Sequence, residues 1–207
     1  MKRTLNAITL AAACAVSFQA NAAILFSDNF DAEAESYSQT TLTNWSISNG
    51  TIDVIGVGTP YDLQPGNGRY IDLDGSTNDA GRMTSSAISL LAGTTYDLVF
   101  SLAGSQRGDS NSVDYGIDTD NNGTIDFTGT QTLASGASFA SFNLSFTALA
   151  SSGNARIVFD HAGSDNVGLL LDNVQLRSRD IPGVPEPATL MLLGLGLAGL
   201  GYSRRKS

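Results

Sequence analysis

The chain has 207 residues, one cysteine, one histidine and a formal net charge of −9. Residues 23–180 carry six arginines, no lysine and nineteen acidic residues, a net charge of −13, which repels a polyphosphate and excludes nucleic acid as a partner. A lone cysteine at Cys14 and a lone histidine exclude a disulfide framework and argue against a zinc site.

The N-terminus reads as an address. Met1-Lys2-Arg3 is a short positive start, and Leu5 to Phe18 is an apolar run interrupted by Asn6, Thr9 and Ser17. Ala20-Asn21-Ala22 offers small residues where a signal peptidase reads, so residues 1–22 are expected to be a signal helix cut before Ala23. Lipoprotein processing at Cys14 is the alternative, against which Leu10-Ala11-Ala12-Ala13 is a poor lipobox.

Residues 23–180 are predicted to form one domain, long enough for a full hydrophobic core. No stretch keeps a helical apolar period. Short β-branched and aromatic runs instead recur between Gly, Asn, Asp and Ser clusters. Strands are expected near Ile24–Phe26, Trp45–Ile47, Thr51–Ile55, Tyr70–Leu73 and Met83–Leu90. Further strands are expected near Thr95–Ala103, Ser112–Ile117, Phe139–Phe146, Arg156–Asp160 and Gly168–Leu176. In Tyr96-Asp97-Leu98-Val99-Phe100-Ser101-Leu102 the apolar side chains fall on every second residue, the period of a half-buried strand. Many strands without helices between them predict an all-β sandwich.

Asp118-Thr119-Asp120-Asn121-Asn122-Gly123-Thr124-Ile125-Asp126 is the motif richest in chemistry. Calcium takes six to eight hard oxygens. Asp118, Asp120 and Asn122 place oxygens at alternate positions, Gly123 permits a sharp turn, and the Thr124 carbonyl and Asp126 carboxylate can complete the ring. The run resembles the first nine positions of an EF-hand or dockerin-type loop. It departs from them at Gly129, where a bidentate carboxylate is expected, and it lacks flanking helices. The competing reading is a plain hairpin with Asn122-Gly123 as a two-residue turn.

No nucleophile elbow, phosphate-cradling glycine loop or distinguishable carboxylate pair marks a catalyst, and His161 reads as a loop residue, so no catalytic residue is assigned. A sugar site stacks a ring on an aromatic framed by polar groups. Tyr61, Tyr115 and Arg107 are the candidates for it, and Trp45 is expected in the core.

The C-terminus is a second address, residues 181–207. Pro185-Glu186-Pro187 precedes an apolar stretch from Leu190 to Tyr202, and Arg204-Arg205-Lys206 follows it. Thirteen helical residues rise about 20 Å, short of a bilayer core of about 30 Å. This short membrane helix is expected to anchor the chain transiently in the inner membrane, its basic cluster on the cytoplasmic side.

Pro185, Glu186, Pro187, the Gly/Leu-rich segment and the cluster at Arg204 and Arg205 resemble the PEP-CTERM sorting signal. That resemblance implies cleavage by an exosortase and a Gram-negative cell-surface or matrix destination. The body resembles a galactose-binding-like jelly roll of the carbohydrate-binding-module type. The pieces that carry the likeness include Asp28-Asn29-Phe30-Asp31, Asn44-Trp45, Tyr70-Ile71-Asp72-Leu73-Asp74-Gly75 and Leu171-Asp172-Asn173-Val174-Gln175-Leu176. It implies a structural calcium at Asp31 and Asp172, for which Arg156, Arg177 or backbone N–H groups are competing partners of Asp172. A non-enzymatic surface protein binding polysaccharide through a calcium-stabilised jelly roll is the leading expectation. A structural or adhesive matrix component is the alternative.

Overall fold

The computed structural model describes residues 22–179. The signal segment, the sorting motif at Pro185, Glu186 and Pro187, and the basic cluster at Arg204 and Arg205 lie outside them. Fourteen strands run in chain order. The first seven are β1 (Ile24–Asp28), β2 (Ser36–Gln39), β3 (Thr41–Leu42), β4 (Trp45–Ser48), β5 (Ile52–Gly56), β6 (Arg69–Asp72) and β7 (Arg82–Ser85). The others are β8 (Ile88–Leu90), β9 (Thr95–Ala103), β10 (Asn111–Asp118), β11 (Phe127–Leu133), β12 (Ala140–Thr147), β13 (Ser152–Ala162) and β14 (Leu170–Ser178). No helix occurs among the described residues, and none long and apolar enough to cross a membrane is present there.

Two antiparallel sheets form the sandwich. The first has the order β12-β9-β14-β6-β5-β2, with β1 also on β14; the second has the order β11-β10-β13-β7-β4-β3, with β8 also on β13. Each sheet thus contains a long strand whose one edge is divided between two short partners. On β14, β6 pairs at Leu170 and Leu171 while β1 pairs from Val174 to Arg177. On β13, β8 pairs near Ser152 and Ala155 while β7 pairs from Val158 to Asp160.

The expected alternation builds the core. Tyr96, Leu98, Phe100 and Leu102 of β9 are all buried in it, as are Val113, Tyr115 and Ile117 of β10 and Ile157 and Phe159 of β13. Phe100 meets Tyr115 edge-on at 4.6 Å and Phe159 at 5.1 Å, aromatic geometry that adds to area burial. Trp45 is buried as expected, packed edge-on against Phe26 at 5.2 Å, with its indole N–H donating to Asp28 Oδ2 at 2.9 Å.

One expected strand splits, and three observed strands, β2, β3 and β11, were not expected. The run Met83–Leu90 splits into β7 and β8: both pair with β13, but the ladder is interrupted between them, where Ser85 O–H donates to the Ser86 carbonyl at 2.9 Å and Ser86 N–H donates to the Asn44 carbonyl at 2.8 Å. β2 and β3 are too short to show a period. β11 carries polar threonines between Phe127 and Leu133, which hides its alternation. The two-residue turn at Asn122-Gly123 is also corrected. Ile117 pairs with Phe127, so residues 119–126 form a wider loop, closed by Asp126 N–H donating to the Ile117 carbonyl at 2.8 Å.

A second, smaller apolar cluster lies on the outer face of the first sheet. Ile55, Tyr70, Ala103 and Leu170 are buried there beneath Leu63 and Phe139. It fastens down the loop 57–68. Gln64 N–H donates to the Tyr70 hydroxyl at 2.8 Å, and that hydroxyl donates to Asp62 Oδ1 at 3.2 Å.

Candidate functional site

One concavity is built on the outer face of the first sheet from strands and loops far apart in sequence. Asp53 on β5 and Asp72 on β6 are direct cross-strand partners. Ile52 and Val54 face the core, as does Ile71, so alternation sends Asp53 and Asp72 outward together. Three loops close around them. The loop 57–68 brings Tyr61, residues 104–110 bring Arg107, and residues 163–169 bring Asn166. With Ser76, these side chains line a cleft of about 210 Å³.

The two carboxylates are held differently. Asp53 accepts from Ser38 N–H at 2.7 Å, Ser76 N–H at 3.2 Å and the Ser76 hydroxyl at 2.6 Å. Asp72 Oδ1 accepts from Asp74 N–H at 3.1 Å and Gly168 N–H at 3.0 Å, and its Oδ2 receives the Arg107 guanidinium. Burial pushes Asp72 up to about 7, against the pull of Arg107. Arg107 is placed by its neighbour Gln106, at φ 60°, whose amide donates to the carbonyls of Gly104, Ser135 and Ala137 at 2.9–3.0 Å. Tyr61 stays 51% exposed, its ring braced edge-on by Tyr37 at 5.9 Å. Tyr37 in turn donates to Glu35, which pushes the Tyr37 phenol up to about 12.

Two of the three sequence candidates for a sugar site, Tyr61 and Arg107, therefore meet in one cleft. Tyr115 does not join them. Its ring is buried between Phe100 and Phe159, over Gly129, where a Cβ would come within 2.6 Å of Tyr115 Cζ. Its strand parity with Val113 and Ile117 turns it into the core, and that corrects its assignment as a ligand residue. Asp53, Asp72, Ser76 and Asn166 were missed. The available signal was an acid set inside each of two apolar strands, Thr51-Ile52-Asp53-Val54-Ile55 and Tyr70-Ile71-Asp72-Leu73.

The loop 118–126 gathers its acids at the far end of the second sheet. Oxygens of Asp118, Asp120 and Asp126 lie within 4.8 Å of one another. Asp118 is buried and organises the loop: its carboxylate accepts from the N–H groups of Asp120 at 3.3 Å, Asn122 at 3.2 Å and Gly123 at 2.8 Å. Asn122 Oδ1 accepts from Thr124 N–H at 2.8 Å, and Asp126 Oδ2 accepts from Thr119 N–H at 2.8 Å. The Asn122 side chain and the Thr124 N–H thus hold the turn. Arg82 ties the loop to the sheet through the Gly123 carbonyl at 2.8 Å and pairs with Asp160 at 2.5 Å.

Asp31 and Asp172 are placed apart from that loop. Asp172 is buried on β14 at a bulge next to Asn173, whose φ is 52°, and it accepts from the Asn173 backbone at 2.6 Å and side chain at 2.8 Å. Burial pushes it up to about 7, with the charges of Asp31 and Asp28 adding to the rise. Asp31 accepts from Arg69 N–H at 2.9 Å and Asn29 Nδ2 at 2.8 Å. Asp28 is engaged by Phe30, Asn44 and Trp45. Among the described residues the only set of three metal-ligating side chains with converging atoms is Asp118, Asp120 and Asp126. His161, expected in a loop, instead lies buried on β13, paired with Val113; its Nε2 accepts from Leu169 N–H at 3.2 Å, and burial lowers it to about 4.

Comparison with solved structures yields likenesses of fold. The cleaved adhesin domain K1 of Lys-gingipain from Porphyromonas gingivalis W83 aligns with a TM-score of 0.51 at 12% identity, covering 73% of this chain and 96% of that one. The CBM22-1 xylan-binding domain from Paenibacillus barcinonensis aligns at 0.47 and 12% identity, covering 79% and 99%. The enzymatically active domain of tailspike protein 4 from bacteriophage CBA120 aligns at 0.46 and 19% identity, covering 67% of this chain but 20% of that one. No curated protein sequence matches the chain. Residues 183–206 match the PEP-CTERM protein-sorting motif, which marks an exported, surface-directed chain, and the described residues form its all-β sandwich body.

Proposed function

We propose that the sandwich is a non-catalytic polysaccharide-binding domain of a Gram-negative surface or matrix protein, and that the sugar enters the cleft between Tyr61 and Arg107. The convergence of an exposed aromatic ring, a fixed guanidinium and the acceptors Asp53 and Asp72 in one concavity carries this reading. A sugar ring offers an apolar face to stack and a rim of hydroxyls that need donors and acceptors on fixed geometry. Tyr61 supplies the first, and Arg107, Asp72, Ser76 and Asn166 supply the second. At about 210 Å³ the cleft is smaller than the roughly 300–1,000 Å³ of a drug-sized pocket, which suits one unit of a longer chain lying on the surface. The sorting motif supports the setting: signal peptidase opens the N-terminus, the tail rests briefly in the inner membrane, and an exosortase releases the body among extracellular glycans.

Calcium in the loop 118–126 is the stabilising part of the proposal. Asp118, Asp120 and Asp126 supply three carboxylates to a cation, Asn122 Oδ1 and the Thr124 carbonyl are the further protein oxygens, and water completes the shell. Glycan-array binding of the purified protein, with and without chelator and beside Tyr61→Ala, is the test. Signal on one glycan class that Tyr61→Ala abolishes supports the reading, and an array without signal in millimolar calcium overturns it.

A further inference from the structure

The two lateral sides of the sandwich are protected unequally. On one side the sheets end in β2 and β3, of four and two residues. There β2 is interrupted by a register shift at Ser38, with φ 54°, and preceded by Glu33 and Glu35. Short strands, bulges and charge are how proteins keep a sheet edge from pairing with another chain.

The other side has none of these devices. The sheets end there in β11 and β12, of seven and eight residues, which face each other through Phe127 and Phe146 at 4.8 Å. Both run in unbroken register with their inner neighbours. From residue 127 to residue 155 the chain has no Asp, Glu, Lys, Arg or Pro. Among the described residues no strand pairs with either outer edge. The core is also open here: Phe127, Leu133, Phe142 and Leu144 are only partly buried.

We propose that a second copy of this chain pairs with the free edge of β12, antiparallel about a two-fold axis, continuing the first sheet across the dimer. Charge selects the occupant and the place. Two bodies of net −13 repel one another over most approaches, and the uncharged side is where two copies meet without like-charge contact. Charge also separates β12 from β11. Beside β11 stand the exposed Asp114, which accepts from Thr130, and the acids of the loop 118–126. The acid nearest β12 is Asp97, which Arg179 neutralises at 2.7 Å. An isologous pairing joins the same surface of both copies, so Phe142 and Leu144 are covered twice over while backbone N–H and C=O groups of the edge gain partners.

Sedimentation of the purified full chain is the first measurement, beside the double variant Ser141→Lys with Asn143→Lys. Both positions point away from the core, so the fold, followed by circular dichroism, should persist. A reversible dimer that the lysines dissolve is the expected result. In a Cys14→Ser background, single cysteines at Ser141, Asn143 and Ser145 should form an intermolecular disulfide where the two-fold axis passes, a readout that does not need the lysine variant to fold. A chain that stays monomeric, an association that survives both lysines (as pairing through the C-terminal apolar segment would), or cysteines that never cross-link in the dimer overturns the proposal.

Discussion

Asp53 and Asp72 face each other across β5 and β6, both buried, and only Asp72 has an arginine. Like charges directly opposite on a sheet are unfavourable, so Arg107 serves the fold as well as the cleft. Arg107→Ala should therefore lower stability in a pH-dependent way. Above about pH 8 the cost should be about 2 kcal/mol, less than the ~3–5 kcal/mol of a fully buried pair because Arg107 is 30% exposed. Near pH 5 folded Asp72 carries its proton and the cost should shrink. Denaturant titrations at the two pH values measure the difference; equal losses would show that the pair contributes no charge term.

Tyr61→Ala should separate binding from stability. The ring is exposed and rests on Tyr37, so the melting temperature should move little, while glycan affinity falls by about tenfold or more. Isothermal titration with the glycan identified on the array reads the first quantity and a thermal melt the second.

Calcium should raise the melting temperature of the wild-type chain by mass action, and excess chelator should reverse the gain. Asp120→Ala and Asp126→Ala should each lose the calcium response with modest change in the metal-free melt, since both are exposed. Asp118→Ala should lower the melt even without calcium, because its carboxylate holds three backbone N–H groups.

Asp172 titrates near 7 in the folded chain and near 4 unfolded, so the folded state binds its proton more tightly. Its contribution is present in full below about pH 4 and is lost as pH rises to about 7. Asp172→Asn should remove that decline and melt higher than wild type above about pH 7. A calcium-dependent gain in wild type that Asp172→Asn abolishes would place a cation there instead.

His161 acts with the opposite sign. Its folded value of about 4 lies below the unfolded value of 6.5, so its contribution is present above about pH 6.5 and is lost as pH falls towards 4. His161→Gln should flatten that acid limb of the stability profile, measured by thermal melts across the range.

Where alternation is strong, the strands were legible in the residues. Thr95–Ala103 matches β9, and Trp45 takes its expected place in the core. The same alternation in Val113-Asp114-Tyr115-Gly116-Ile117 places Tyr115 inside with its apolar neighbours, whatever its phenol offers a ligand. β11 escaped because an edge strand buries little and tolerates threonine at most positions. The cleft was illegible for a different reason. Tyr61, Arg107 and Asn166 sit on three separate loops, and only the pairing of β9, β14, β6 and β5 brings those loops to one place.

The position of β14 has a consequence for biogenesis. The final strand of the sandwich lies at the midline of its sheet, between β9 and β6, with β1 zipped along its remaining edge. Until it arrives, the first sheet is three separate pieces, β12 with β9, β6 with β5 and β2, and β1 alone, and nearly the whole body must be synthesised before the sandwich can close. A chain that lacks this strand leaves both of its neighbours with an unpaired edge. Any later trimming has to fall beyond Ser178, since an earlier cut would remove the keystone of the sheet.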